Sequence, residues 1–158
     1  MFRKLAREKQ ALSIEECKKI LKEEKRGVLS VYGLDGYPYG MPMNFYYDEE
    51  SSSIYFHGGK YGHKIDAIKK NPKVSFCVFN EGYRNEGEWA YNVKSVIIFG
   101  QITEMEDQKK AMDLCKNLSY KYTADDEYID YEIKEDGPHT LSLLLRIENI
   151  QGKLVKEA

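Results

Sequence analysis

Residues 53–72 read SIYFHGGKYGHKIDAIKKNP and gather Lys60, His63, Lys64, Lys69 and Lys70 around glycines 58, 59 and 62. The run opens as a strand, breaks, and resumes as a helix near Gly62. A helix N-terminus presents free backbone N–H groups and the positive end of the dipole, so it favours anions. Lys64 in the first turn opposes that dipole, and an anion held between the two would remove the conflict. Phosphate suits such a place, with Lys64 as a point charge and His63 as a second donor. Gly58, Gly59 and Gly62 would let the backbone come close to a ligand and reach angles other residues avoid. The alternative is a β-to-α turn that needs glycines, with lysines solvating a surface helix. Both readings stand on these residues alone. The run has neither the GK[ST] ending of a Walker A loop nor GxGxxG spacing. His57 and His63 have no third ligand at metal spacing, His139 being remote, so no metal site is expected.

The elements that must position this run follow from local patterns. Ser13 with Glu16 signals a capping box, and Ile14, Cys17, Ile20 and Leu21 form one apolar stripe up to a stop at Gly27. GVLSVYGLDGYPYGMPMNFYY (27–47) reads as two strands about an Asp35-Gly36 turn. DEESSS (48–53) is the next turn. In the strand SIYFH that follows, Ile54 and Phe56 share one face, and Tyr55 and His57 the other. A helix runs from about Gly62 to Lys70 with Ile65 and Ile68 inward, and Asn71-Pro72 ends it. KVSFCVFN is a strand, and VKSVIIFGQITEM a longer one in which Gly100 marks a bulge or a close backbone approach. A helix is expected from Asp107 to about Tyr122, then an irregular, solvated acidic segment from Thr123 to Gly137, a loop or a loop with a short helical turn. TLSLLLRIENIQGKLV closes the chain as a strand burying Leu141, Leu143, Leu145 and Ile147. Six or so strands joined mostly by hairpins, with a few helices outside them, suggest one small barrel.

The chain of 158 residues reads as a single domain over 1–158, long enough to bury roughly two-thirds of its unfolded surface. A formal charge of −2 argues against a general nucleic-acid binder. No apolar leader or long apolar run is evident, so no membrane association is expected and a cytoplasmic protein is the default. Cys17, Cys77 and Cys115 are odd in number and far apart, which suggests reduced thiols filling apolar space. Thirteen tyrosines and six phenylalanines lean toward a β-rich core or a stacking surface.

The succession PMNFYY, IYFHGG, GHK opening a helix, NPKVSFCV, SVIIFGQITE and IENIQGK resembles the FMN-binding split-barrel family related to pyridoxamine 5′-phosphate oxidase. Within it, the chain is similar to the branch named after 5-nitroimidazole resistance reductases. The resemblance spans roughly residues 12–152. It implies a mainly β fold with flanking helices, a six-stranded split β-barrel, and a homodimer with FMN at its interface. By that resemblance, Pro42, Met43, Asn44 and Phe45 lie along the flavin ring, with Asn44 as the polar side chain at its edge. Phe56, His57 and Gly58 run beside the ribityl chain, and Tyr55 counts among the cofactor-binding positions. His63 and Lys64 after Gly62 hold the phosphate. Ser95, opening a later strand, reaches the flavin edge. Met41 and Met43 also read as barrel filling. Trp89 either covers the ring from the partner chain or packs in a core, and Arg146 either meets an anion across the dimer or is solvated.

The chain ends in GKLVKEA, without the longer C-terminal segment whose arginine and histidine meet the substrate phosphate in a true pyridoxamine phosphate oxidase. Vitamin B6 synthesis is therefore not expected. His57 matches a histidine that lies close to the flavin in the nitroimidazole branch. Its unperturbed pKa near neutrality makes it the candidate catalytic proton donor or orienting group. The expected activity is passage of electrons from NAD(P)H to a small oxidised acceptor, the flavin carrying the chemistry. The alternatives are a non-catalytic flavin sensor, or a haem- or deazaflavin-binding protein on the same barrel.

Overall fold

The first helix begins where the sequence places a cap. In the computed structural model, which describes residues 1–157 and leaves Ala158 outside, the Ser13 side chain accepts from the Glu16 N–H. The Glu16 carboxylate accepts in return from the Ser13 N–H at 2.9 Å. This reciprocal cap starts α1 (Ile14–Glu23), which buries Cys17, Ile20 and Leu21. The helix ends at Glu23 and not at Gly27, because Glu24 already turns extended. Gly27 belongs to β1 (Arg26–Tyr32), where a Cβ would meet the Phe76 ring at 2.5 Å. Glycine is there for close packing and does not cap the helix.

The Asp35-Gly36 turn, with Gly36 at φ +86°, joins β1 to β2 (Pro38–Asn44). Phe45 interrupts the run before β3 (Tyr46–Asp48), and β4 (Ser53–Gly59) returns antiparallel to β3. Next come α2 (His63–Lys70), β5 (Lys73–Phe79), the two-residue β6 (Tyr83–Arg84) and the long β7 (Tyr91–Glu104). Helices α3 (Gln108–Tyr120) and α4 (Asp126–Asp136) precede the closing β8 (Thr140–Glu157).

All pairings are antiparallel, in the order β2-β1-β5-β7-β8-β4-β3, with β6 on β7. The two ends of this path, β2 and β3, are successive parts of one run separated only by Phe45, so the sheet curls round toward itself. The sheet has eight strands where six were expected. The break at Phe45 divides one expected strand, and β6 adds a ribbon too short to show as an alternating pattern. Period-2 alternation sends Leu29, Val31, Phe76, Val96, Ile98, Leu143 and Leu145 inward. At the centre Phe45 and Phe56 each meet Phe76 edge-on with centroids 5.0 Å apart. Each such buried side chain contributes roughly 1.5–3 kcal/mol of transfer free energy. The register of β7 on β8 shifts between Phe99 and Gly100, where a Cβ would fall 2.0 Å from the Arg146 carbonyl oxygen.

Residues 123–137 are mostly helical, which corrects the acidic loop expected there. Asp125 caps α4 by accepting from the Tyr128 N–H, Ile129 is buried as its anchor, and Asp130 pairs with Lys116 of α3. Acidic residues near a helix N-terminus complement the dipole, so a composition that reads as a solvated loop here forms a solvated helix. Across the sheet, α3 lays Leu114 and Leu118 on Tyr55, forming a second, smaller core on the outer face of β4. Among the described residues no helix is long and apolar enough to cross a membrane.

Candidate functional site

Lys64 is set by its helix. Gly62 caps α2 at φ +120°, an angle that strains any residue with a Cβ, and no side chain caps this N-terminus. Ile65, Ala67 and Ile68 are buried and fix the helix rotation, which leaves Lys64 half-buried beside the ends of β2 and β4. Its Nζ lies 3.8 Å from Met43 Sδ, and a Cβ at Gly58 would stand 2.9 Å from it. Among the described residues, the ion pairs involve other lysines, and no carboxylate lies within ion-pair distance of Lys64. Burial pushes the Lys64 ammonium below the usual lysine range, because desolvation disfavours the charged form. A desolvated cation at the positive end of a helix is a place for an anion.

His63 and Lys60 are committed elsewhere. The His63 ring stacks on Tyr39 at 4.6 Å, and its Nε2 accepts from the Leu34 N–H at 3.0 Å. An accepting Nε2 places the neutral ring's proton on Nδ1, which is the nitrogen left to donate. His63 thus ties α2 to the β1–β2 turn. Lys60 donates to the Pro138 carbonyl near the end of α4.

His57 sits on the outer face of β4, as alternation requires, but α3 covers that face. Its Nδ1 lies 3.5 Å from Cys115 Sγ, and the neighbouring Tyr55 hydroxyl is 2.9 Å from Ser142 Oγ. Burial, and secondarily the Lys64 ammonium, push the His57 pKa below its ordinary value. Both act toward the neutral ring and away from the protonated form that a proton donor would need. Burial pushes the Cys115 thiol and the Tyr55 hydroxyl up. No sequence pattern links position 115 to position 57, and Cys115 read only as a space-filling thiol.

The remaining expected positions fall into two groups. Met43, His57, Gly58 and Lys64 cluster where β2 and β4 meet the start of α2. Pro42, Asn44 and Ser95 lie on the outer face of the sheet instead. Pro42 is opposite Val28, which pairs with Cys77 and through it Ile97, in the row next to Ser95. Strands β1 and β5 intervene, so Pro42 and Ile97 are roughly 14 Å apart by strand spacing, and Ser95 lies two residues away along β7. Ser95 is half-buried and interior to β7, which begins at Tyr91, so it does not open the strand. The Asn44 Oδ1 accepts from Arg26 Nε at 3.0 Å, leaving the amide N–H groups. Phe45 and Phe56 are wholly buried, and Tyr55 is sealed beneath α3, so these side chains serve packing. At the end of the sheet path, β2 is paired along one edge only and offers backbone groups along the other. Trp89 is 77 % exposed beside Arg84, not packed in a core. Arg146 is exposed as well.

Residues 13–154 match a family model described as pyridoxamine 5′-phosphate oxidase. No match was found among curated protein sequences. The fold is similar to that of a candidate 5-nitroimidazole antibiotic resistance protein from Bacteroides thetaiotaomicron, with TM-score 0.76 and 19 % identity over 92 % of this chain and 87 % of that one. It is also similar to a FAD-binding protein from Mesorhizobium loti, with TM-score 0.69 and 24 % identity over 92 % and 97 %. A FAD- and haem-binding protein from Mycobacterium smegmatis aligns with TM-score 0.68 and 20 % identity over 93 % and 73 %. Curled antiparallel sheet, flanking helices and a match across nearly the whole chain lead to one conclusion: the protein belongs to the pyridoxamine 5′-phosphate oxidase family.

Proposed function

We propose that this protein is a homodimeric FMN-dependent oxidoreductase that passes electrons from NAD(P)H to a small oxidised acceptor. The observation that carries the reading is Lys64, a half-buried cation without a carboxylate partner among the described residues, at the uncapped start of α2. These residues fit the cofactor's phosphate: an ammonium, free helix N–H groups, and Gly58 where a Cβ would crowd Nζ. Two similar structures are described as FAD-binding, which supports a flavin here.

When bound, the flavin supplies the redox chemistry. Lys64 and the first N–H groups of α2 would hold the phosphate, with Gly58 leaving room beside Nζ. The free edge of β2 and the Asn44 amide N–H groups would meet the ring edge. His57, held toward its neutral form, orients its neighbours by hydrogen bonding. The chain has no GxGxxG dinucleotide motif, so donor and acceptor would have to share the one cofactor site.

A second copy completes the site. The outer face of β1, β5 and β7 carries Tyr32, Phe79, Ile97 and Phe99 at 64, 54, 41 and 36 % exposure, an apolar face that a partner would cover. Ser95 lies within this patch, so covering it would bring the partner to the cofactor.

The test is the absorbance spectrum of the purified protein, followed by anaerobic titration with NADH and NADPH. Flavin bands that bleach on titration, with FMN released on denaturation, are the expected result. A haem spectrum, or flavin that no nicotinamide reduces, would overturn the enzyme reading.

A further inference from the structure

We propose that Cys115 is a positioning residue whose thiol donates to His57 Nδ1 and holds the imidazole in the tautomer that carries its proton on Nε2. The two residues are 58 apart in the chain and meet only because α3 lies across β4, with Sγ 3.5 Å from Nδ1. Leu114 and Leu118, buried on Tyr55, fix the rotation of α3, and Ser119 Oγ donates to the Cys115 carbonyl at 3.0 Å one turn on. Cys115 is therefore not free to swing away.

The direction of the bond follows from the donor inventory. A thiol is a weak donor and a weaker acceptor, whereas an imidazole nitrogen without its proton is a good acceptor. Burial keeps Cys115 in the S–H form, and an S–H left unpaired beneath α3 would be costly. The other polar groups facing the pair are the Tyr55 hydroxyl, which meets both Ser142 Oγ at 2.9 Å and the Cys115 sulfur, and the Lys64 ammonium, which can only donate; with the Tyr55 O–H donating to the sulfur, the S–H is the proton left to point at Nδ1. With Nδ1 accepting, Nε2 keeps the proton, and among the described residues it has no hydrogen-bond partner. It is the nitrogen left for a ligand.

The consequence, which alone rests on the flavin reading above, is that His57 meets the cofactor as a neutral donor of fixed orientation. Protonating Nδ1 would break the thiol bond, so the pair resists forming the imidazolium that a proton donor would need. Both the burial of His57 and the Lys64 charge act in the same direction.

Long-range 1H–15N correlation spectra of the labelled protein read the tautomer directly. With three histidines in the chain, His57→Gln assigns the signal. The wild type and Cys115→Ser, which keeps a donor, are expected to show His57 as the Nε2–H tautomer. Cys115→Val fills the space without a donor and should raise the Nδ1–H population about twofold or more, the weak end of one hydrogen bond. It should also raise the His57 pKa, since protonation no longer breaks a bond. A wild-type Nδ1–H tautomer, or Cys115→Val indistinguishable from wild type, would overturn the proposal. Should Cys115→Val not fold, the S–H stretch assigned by Cys115→Ser decides: a lowered, hydrogen-bonded band supports the donor role and a free band refutes it. Flavin content measured on the same samples separates the two readings. Nε2–H with no bound flavin sinks only the cofactor, and bound flavin with an unresponsive tautomer sinks only this proposal.

Discussion

Removing the charge of Lys64 is the sharpest perturbation the structure offers. Lys64→Met keeps an apolar stem of similar length beside Met43 and deletes only the ammonium. An exposed pair would contribute little, about 0–1 kcal/mol. Lys64 is half-buried, and the phosphate carries roughly −1.5 to −2 charge at pH 7, so a charge-assisted bond of about 1.5–3 kcal/mol applies. That range corresponds to a loss of FMN affinity of about 10- to 150-fold. Riboflavin, which lacks the phosphate, should bind wild type and variant alike. The pH dependence has a definite sign. Burial lowers the Lys64 pKa, so the charge is present below that pKa and lost as pH rises through it. FMN affinity should therefore fall at high pH in the wild type and stay level in Lys64→Met. Folding should not suffer, since a desolvated ammonium without a partner costs stability while it is charged. The assay is titration of apoprotein by flavin fluorescence quenching, with FMN and riboflavin in parallel. Equal losses for the two flavins, or unchanged FMN affinity, would refute the placement of the phosphate at α2.

Four other outcomes follow. His57→Gln should slow both half-reactions together, measured by stopped flow, because the lowered pKa makes the ring an orienting group; a loss confined to acceptor turnover would show a proton donor instead. The same variant should flatten the acid side of a melting curve series, since a depressed histidine pKa lends stability above its ordinary value near 6.5 that is lost as pH falls through the folded value. Ile97→Glu, placed in the centre of the apolar outer face, should convert a dimer to monomer by light scattering; a wild-type protein that is monomeric with flavin bound would remove the partner from the site. Phe76→Ala should cost about 3–5 kcal/mol in urea denaturation, because Phe76 is wholly buried and both Phe45 and Phe56 rest against it.

What the sequence determined by itself is what short-range physics controls. The Ser13–Glu16 cap, the Asp35-Gly36 hairpin, the alternation of Leu141, Leu143 and Leu145, and the helix opening at Gly62 each depend on residues a few positions apart. The chemical oddity of Lys64 was legible for the same reason, since a cation and a helix start conflict within one turn. Tertiary structure decided the rest. Gly27 read as a helix stop, yet its reason is the Phe76 ring, which lies 49 positions away. The acidic stretch after Thr123 became a helix because Ile129 found a buried place and Lys116 of α3 met Asp130. His63 read as a second donor beside Lys64, and only packing against the β1–β2 turn took up its Nε2 and ring face while leaving the Lys64 ammonium without a carboxylate among the described residues. His57 kept its face of β4 but changed its chemistry, because α3 withdrew it from water and set Cys115 against it. Periodicity tells which way a side chain points; desolvation and long-range partners, which set its charge and hydrogen bonds, exist only once distant segments have packed.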